Sequence, residues 1–205
     1  PVLTFINDGL ASGIALGEAL RTISSGACPG MLAGGTSEAD DPWLLLARRE
    51  SRREDAPALP WTSAAACLVM ETLASLHERR VTPLAEFLGY WSGKPASALR
   101  DVDRACRGLD LVAVLCNAPQ RLRETSLSLA SRSGEATAPW LAADCLAASQ
   151  ALYAALAVHA LRQRGSAQTQ RGRRAVLSLD FDSCGGCTVL LLAEAPIQLD
   201  QNRGK

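Results

Sequence analysis

The sequence is poor in several features that narrow a function quickly. It has no excess charge of either sign, since 21 basic and 21 acidic residues cancel, and aromatic residues make up only 4% of it. A neutral chain with few aromatics gives no electrostatic reason to expect nucleic acid or an anionic membrane as the main partner. Long apolar runs are missing too: the most apolar stretch, Val189 to Ala193, has the length of a strand and not of a bilayer span. No signal-peptide pattern is read at Pro1, and a cytoplasmic location is expected. Histidine is scarce. His77 and His159 both lie inside predicted helices and read as helix-surface residues. A complete zinc site needs four ligands, but Cys184-Gly-Gly-Cys187 is followed by no second Cys-x-x-Cys and no paired histidine. A redox pair is expected at a helix N-terminus after a strand, whereas these cysteines sit between two predicted strands. Gly34-Gly35-Thr36-Ser37 lacks the lysine and the further glycines of a phosphate loop. Neither a metal nor a cofactor is expected.

What is present is apolar mass. Hydrophobic residues make up 48% of 205, enough for one domain with a sizeable core or two small halves sharing one. The seven cysteines (Cys28, Cys67, Cys106, Cys116, Cys145, Cys184 and Cys187) are an odd number, and most sit in Ala/Leu/Val-rich surroundings. There a free cysteine acts as a small hydrophobe, so the set reads as reduced thiols.

Along the chain, Ala11 to Ser25 carries a helical apolar stripe that Gly26 stops. Cys28 to Gly35 and Ala64 to Met70 read as buried strands, the second running into a helix that ends near Arg80. The mixed-sign run Arg48 to Asp55, bounded by Pro57 and Pro60, reads as a solvated loop. Leu84 to Trp91 is strand-like and Ala96 to Cys106 helical, and Leu109 to Cys116 resembles a strand buried on both faces. Arg121 to Ala130 and the alanine-rich Leu141 to Arg164 read as helices, and Gly165 to Arg173 as a polar connector. Ala175 to Phe181 and Thr188 to Ala193 are spaced as an antiparallel hairpin around Cys184-Gly-Gly-Cys187. Strands alternating with helices indicate a layered α/β protein. Trp43, Trp61, Trp91 and Trp140 fall in loops or strand ends, where core filling is the default.

Three segments, in order, resemble the ketosynthase (beta-ketoacyl-ACP synthase) branch of the thiolase-like superfamily. Gly9-Leu-Ala-Ser-Gly-Ile-Ala-Leu-Gly-Glu-Ala-Leu, with Ile23-Ser-Ser-Gly and Met31-Leu-Ala-Gly-Gly-Thr-Ser-Glu38, looks like the helix after the nucleophile elbow and the glycine-rich strand beyond it. Ala64-Ala-Ala-Cys-Leu-Val-Met-Glu71, Arg79-Arg80 and Ala85-Glu-Phe-Leu-Gly-Tyr90 are similar to the next strand, helix and strand. Leu146-Ala-Ala-Ser-Gln-Ala-Leu-Tyr-Ala-Ala and Gly185-Gly-Cys-Thr before Val189-Leu-Leu-Leu resemble the late helix and closing glycine loop. The resemblance implies a layered αβαβα fold. Residues 1–95 would form the rest of an N-terminal half from the nucleophile elbow onward, and 96–205 a C-terminal half. The segment that precedes the elbow in the family has no counterpart, and the stretch from Tyr90 to Leu109 is shorter than its equivalent. Either another polypeptide is therefore expected to supply the missing strands, or the sequence is one fragment of a longer chain; a second chain or an N-terminal fragment is favoured over an independently folded half.

The family's chemistry uses a cysteine thiolate at a helix N-terminus and two histidines that assist decarboxylation and stabilise the oxyanion. The resemblance places Leu10 at the cysteine, Leu115 (or its neighbour Cys116) at the first histidine and Asp144 at the second. None of these side chains does that work, and a lone Asp144 beside an apolar helix reads as a cap. Backbone N–H groups at Leu10 and near Cys184, Gly185 and Gly186 could remain as a relic oxyanion site, with Cys116 beside it. The resemblance then implies a degenerate, chain-length-factor-like subunit. It would pair with an active ketosynthase, meet an acyl carrier protein bearing acyl-phosphopantetheine, and shape the acyl tunnel in polyketide, aryl polyene or fatty-acid-like biosynthesis. In the best-known chain-length factors a glutamine replaces the cysteine; Leu10 departs from that pattern, which argues against a decarboxylating role. The alternative is an active acyltransferase or condensing enzyme that uses Cys28, Cys116 or Cys145, or a nucleophile from a partner chain.

Overall fold

The computed structural model describes residues 3–5, 10–37, 63–117, 148–163, 172–182 and 184–195. Helix α1 (Ala11–Ser24) leads into strands β1 (Gly30–Ser37) and β2 (Ala64–Glu71), followed by helix α2 (Leu73–Arg79) and strand β3 (Glu86–Gly93). Helix α3 (Pro95–Ala105), strand β4 (Leu109–Cys116), helix α4 (Ser149–Gln163) and strands β5 (Arg173–Phe181) and β6 (Cys187–Ala193) complete the order. The strands form two sheets: an antiparallel β1–β2 pair and a four-stranded sheet in the order β3–β6–β5–β4. In the larger sheet β4 runs parallel to β5, and the other pairings are antiparallel.

Local chemistry accounts for most boundaries. Pro95 opens α3, where a missing N–H costs nothing. The helix then buries Ala98, Leu99, Val102 and, just past its end, Cys106 on one stripe. Thr72 caps α2 by accepting a hydrogen bond from the Ser75 amide at 3.2 Å, and Arg80 ends the helix in a left-handed turn at φ 55°. The C-terminal carbonyls of α4 meet the buried Arg174, whose guanidinium donates to Leu161 O at 3.2 Å and to Glu194 Oε1 at 2.6 Å. That cation suits the negative end of the helix dipole.

The period of two along β5 and β6 builds two cores back to back. Val176, Leu190 and Leu192 face α1 and α4. Leu177, Leu179, Val189 and Leu191 face α3 on the other side. Helices α1 and α4 thus lie between the two sheets, and the described residues stack as sheet, helices, sheet, helix. This is the layered α/β architecture expected from the sequence.

One expectation is corrected. The β1 and β2 segments read as buried strands, but only one face of each is buried. Ala33 and Met70 point inward, whereas Leu32 and Val69 are 69% and 70% exposed. The small alanines, cysteine and glycines of these strands raise their apparent apolarity without implying burial on two sides. The helix read at 121–130 and the loop at 48–55 lie outside the described residues.

Candidate functional site

The candidate site is built where the C-terminal ends of β4 and β5, the start of β6 and the N-termini of α1 and α4 converge. Leu10 precedes α1 as its N-cap, with φ −101° and ψ 2° and no side-chain cap hydrogen bond. Its carbonyl accepts from the Ile14 amide at 2.9 Å, and the residue is buried. Leucine is among the poorest N-caps, because it offers no oxygen to the first-turn amides. The helix can approach β6 closely because its next turn carries Gly13. A Cβ there would overlap the Thr188 side chain, lying within 2.9 Å of the Thr188 Cβ.

Behind this contact runs a buried polar network. Thr188 Oγ1 donates to Gln150 Oε1 at 2.7 Å. Gln150 Nε2 donates to Ser178 Oγ at 2.8 Å and to Ser178 O at 3.0 Å. Ser12 Oγ accepts from the Ala151 amide at 3.3 Å. These bonds tie α1, α4, β5 and β6 together with both polar ends of Gln150 satisfied. None of the four side chains was singled out from the sequence, although a Ser-Gln pair inside an alanine-rich helix is a polar break in an apolar face.

On the neighbouring strand, Leu115 is paired with Ser178 in register and is buried, and Cys116 is partly exposed. Asn117 continues the strand edge with its side chain. Its Nδ2 donates to Phe181 O at 2.8 Å, and its Oδ1 accepts from the Phe181 amide at 2.9 Å. The amide thus copies a peptide group and extends the β4–β5 pairing by one step. The turn from β5 to β6 is closed by Asp182, whose Oδ1 accepts from the Gly186 amide at 2.6 Å and whose own amide donates to Gly186 O at 3.1 Å. Gly185 sits at φ 89°, where a side chain would be strained.

The two cysteines of this turn differ sharply. Cys184 is exposed and Cys187 buried, and burial, reinforced by the nearby Asp182 carboxylate, pushes the Cys187 thiol up to about 11. Such a thiol stays protonated at neutral pH and is a poor nucleophile or metal ligand. No cluster of three or more potential metal-binding side chains occurs among the described residues, and no helix among them is long and apolar enough to cross a membrane.

The structure therefore brings Leu10, Leu115, Cys116 and the Cys184–Gly185–Gly186 turn toward one end of the molecule, while Asp144 and Cys145 lie outside the described residues. His77 and His159 stand exposed on α2 and α4. Leucine at the start of α1 forms no thioester. The arrangement can offer apolar walls and backbone amides.

No protein-family model matches the chain, and no curated protein matches it by sequence. Solved structures do. The chain is similar to a chain of the AntDE:AntF complex, a type II polyketide synthase acyl carrier protein with its ketosynthase bound to the hexaketide. That match has TM-score 0.74 and 18% identity, covering 94% of this chain and 59% of that one. The ishigamide ketosynthase/chain length factor matches with TM-score 0.73 and 17% identity, over 93% of this chain and 56% of that one. A beta-ketoacyl synthase from Burkholderia phymatum matches with TM-score 0.64 and 19% identity, over 92% and 60%. The chain thus spans less than two thirds of the length of each of these neighbours. What the likeness establishes is the fold: this chain has the thiolase-like α/β architecture found in ketosynthases and chain length factors.

Proposed function

We propose that this chain is a non-catalytic subunit of the chain-length-factor type. It pairs with an active ketosynthase and helps to shape the acyl tunnel in polyketide, aryl polyene or fatty-acid-like biosynthesis. The observation that carries this reading is Leu10: a buried leucine stands directly before α1, at the position the family resemblance assigns to the nucleophile. Leu115 adds a second apolar side chain at the position assigned to the first histidine. An acyl carrier protein bearing the chain on phosphopantetheine is the expected visitor, in keeping with the carrier–ketosynthase pairing named for one structural neighbour. The backbone amides at Leu10 and at Cys184 to Gly186 would serve as a relic carbonyl-binding site, and no metal or cofactor takes part.

The rival reading is an active acyltransferase using another cysteine of this chain. Reconstitution with a ketosynthase that retains its cysteine and both histidines separates the two. The proposal expects a heterodimer by light scattering, and turnover abolished when the partner's cysteine is replaced by alanine. Alanine at Cys28, Cys116, Cys145 or Cys184 should leave turnover intact. Loss of turnover from any one of those four substitutions would establish the rival.

A further inference from the structure

Asp180 is a buried carboxylate that the proposed function leaves unused. It lies on β5 and is 1% exposed. Alternation along the strand puts it on the same face as Val176 and Ser178, the face that meets α1 and α4. Phe181, next in the chain, belongs to the other core. Contacts on two sides fix where the carboxylate sits. Asp180 is paired in register with Thr188, and Thr188 lies against Gly13, where a Cβ would come within 2.9 Å of the Thr188 Cβ. Gly13 is about one helical turn, ~5 Å, past Leu10. Along the strand, Asp182 closes the Cys184–Gly186 turn two residues beyond Asp180, a step of about 7 Å.

Helix α4 reaches the same place from its own side. It runs antiparallel to β5, since its last turn meets Arg174 and Gln150 in its first turn bonds to Ser178. Its N-terminus therefore lies at the Asp180 end of the strand. Ser149, in that first turn, is 1% exposed, and its Oγ has no hydrogen-bond partner among the described residues. The positive ends of α1 and α4 thus converge on an internal carboxylate, with a buried hydroxyl that can donate to an incoming oxygen.

This arrangement bears on which acyl groups the site takes. Helix N-termini attract anions, and here the protein's own carboxylate already answers that field. A second carboxylate in so water-poor a site would meet a like charge with little screening. An uncharged acyl chain meets the apolar Leu10 and Leu115 instead, and its carbonyl oxygen still finds N–H and O–H donors.

We propose that Asp180 acts as a charge filter: the site takes neutral acyl thioesters and turns away thioesters that carry a free carboxylate. The filter rests on the amides at Leu10 and at Cys184 to Gly186 forming the carbonyl-binding site proposed above.

The test uses two pantetheine thioesters of matched shape, isovaleryl and malonyl, each with a diazirine at the far end of the pantetheine. Both are photolysed with the assembly purified through a tag on the full-length chain, and intact-protein mass spectrometry counts the label on this chain alone. Wild type should reach half-maximal labelling at an isovaleryl concentration about tenfold below the malonyl one. Asp180→Asn keeps the shape, removes the charge, and should bring the two probes within about twofold, chiefly by improving malonyl. Asp180→Ser serves as a second neutral variant, and circular dichroism shows that each is folded. Equal labelling by both probes in wild type overturns the proposal. So does a preference for isovaleryl that survives both neutral variants. In either case carbonyl binding by the amides stands. If neither probe labels this chain saturably, the carbonyl-binding site itself is refuted, and the filter falls with it.

Discussion

Replacing Gln150 by leucine strips the centre from the buried network and tests whether it holds the layers in place. The wild-type amide satisfies Thr188 Oγ1 at 2.7 Å and Ser178 Oγ at 2.8 Å, and both partners are fully buried. Leucine has a similar volume, so the loss is polar and not steric. Each stranded buried hydroxyl costs about 1–3 kcal/mol, which puts the variant at roughly 4 kcal/mol less stable. For a chain of this size that is a fall of roughly 10 °C in the melting midpoint. Adding Ser178→Ala and Thr188→Val to Gln150→Leu removes the stranded groups along with their partner, so the triple variant should regain more than half of the lost stability. Equilibrium unfolding in urea, followed by circular dichroism, measures both. A single variant within about 0.5 kcal/mol of wild type, or a triple variant less stable than the single one, would refute the assignment.

Asn117→Ala removes both bonds to the Phe181 backbone, so it should cost about 1–2 kcal/mol and speed hydrogen exchange at the Phe181 amide. Gly17→Ala drives a Cβ into the Tyr90 ring and should destabilise by about 1–3 kcal/mol, an effect that Tyr90→Leu partly relieves. Cys187 is held at about 11 against an ordinary 9.0. Because its folded-state value is raised, the folded state binds more protons than the unfolded state between those values. Stability should therefore be unaffected below pH 9 and fall by about 3 kcal/mol as pH rises through 11. Cys187→Ala should flatten that fall in pH-dependent unfolding curves.

The elements that could be read from the sequence are those whose signals are local. The Leu109–Cys116 strand carries its own β-branched and leucine pattern, and α3 its Pro95 start and apolar stripe. The hairpin of β5 and β6 is announced by two apolar runs around a glycine turn, and its antiparallel register follows. What escaped depends on partners distant in sequence. Gln150 meets Ser178 and Thr188 across 28 and 38 residues, and Ser12 meets Ala151 across 139. No periodicity encodes such contacts. The one-sided burial of β1 and β2 escaped for a different reason: small residues such as Ala65, Cys67 and Gly34 look equally at home inside or outside. At the candidate site, Leu10, Leu115 and the Cys184–Gly186 turn were singled out only through a family resemblance, not by any local pattern. The Asn117 clamp and the Asp182 closure, which shape that end of the molecule, emerged only with the backbone in three dimensions.

A subunit of the proposed kind does not itself carry the acyl group. Intact-protein mass spectrometry tests it, after the purified chain is incubated with an acyl- or malonyl-loaded carrier protein, alone and with the ketosynthase proposed as its partner. The expected spectrum shows this chain at its unmodified mass throughout, while the partner gains the acyl mass on its cysteine. A stable acyl adduct on any cysteine of this chain would contradict the account.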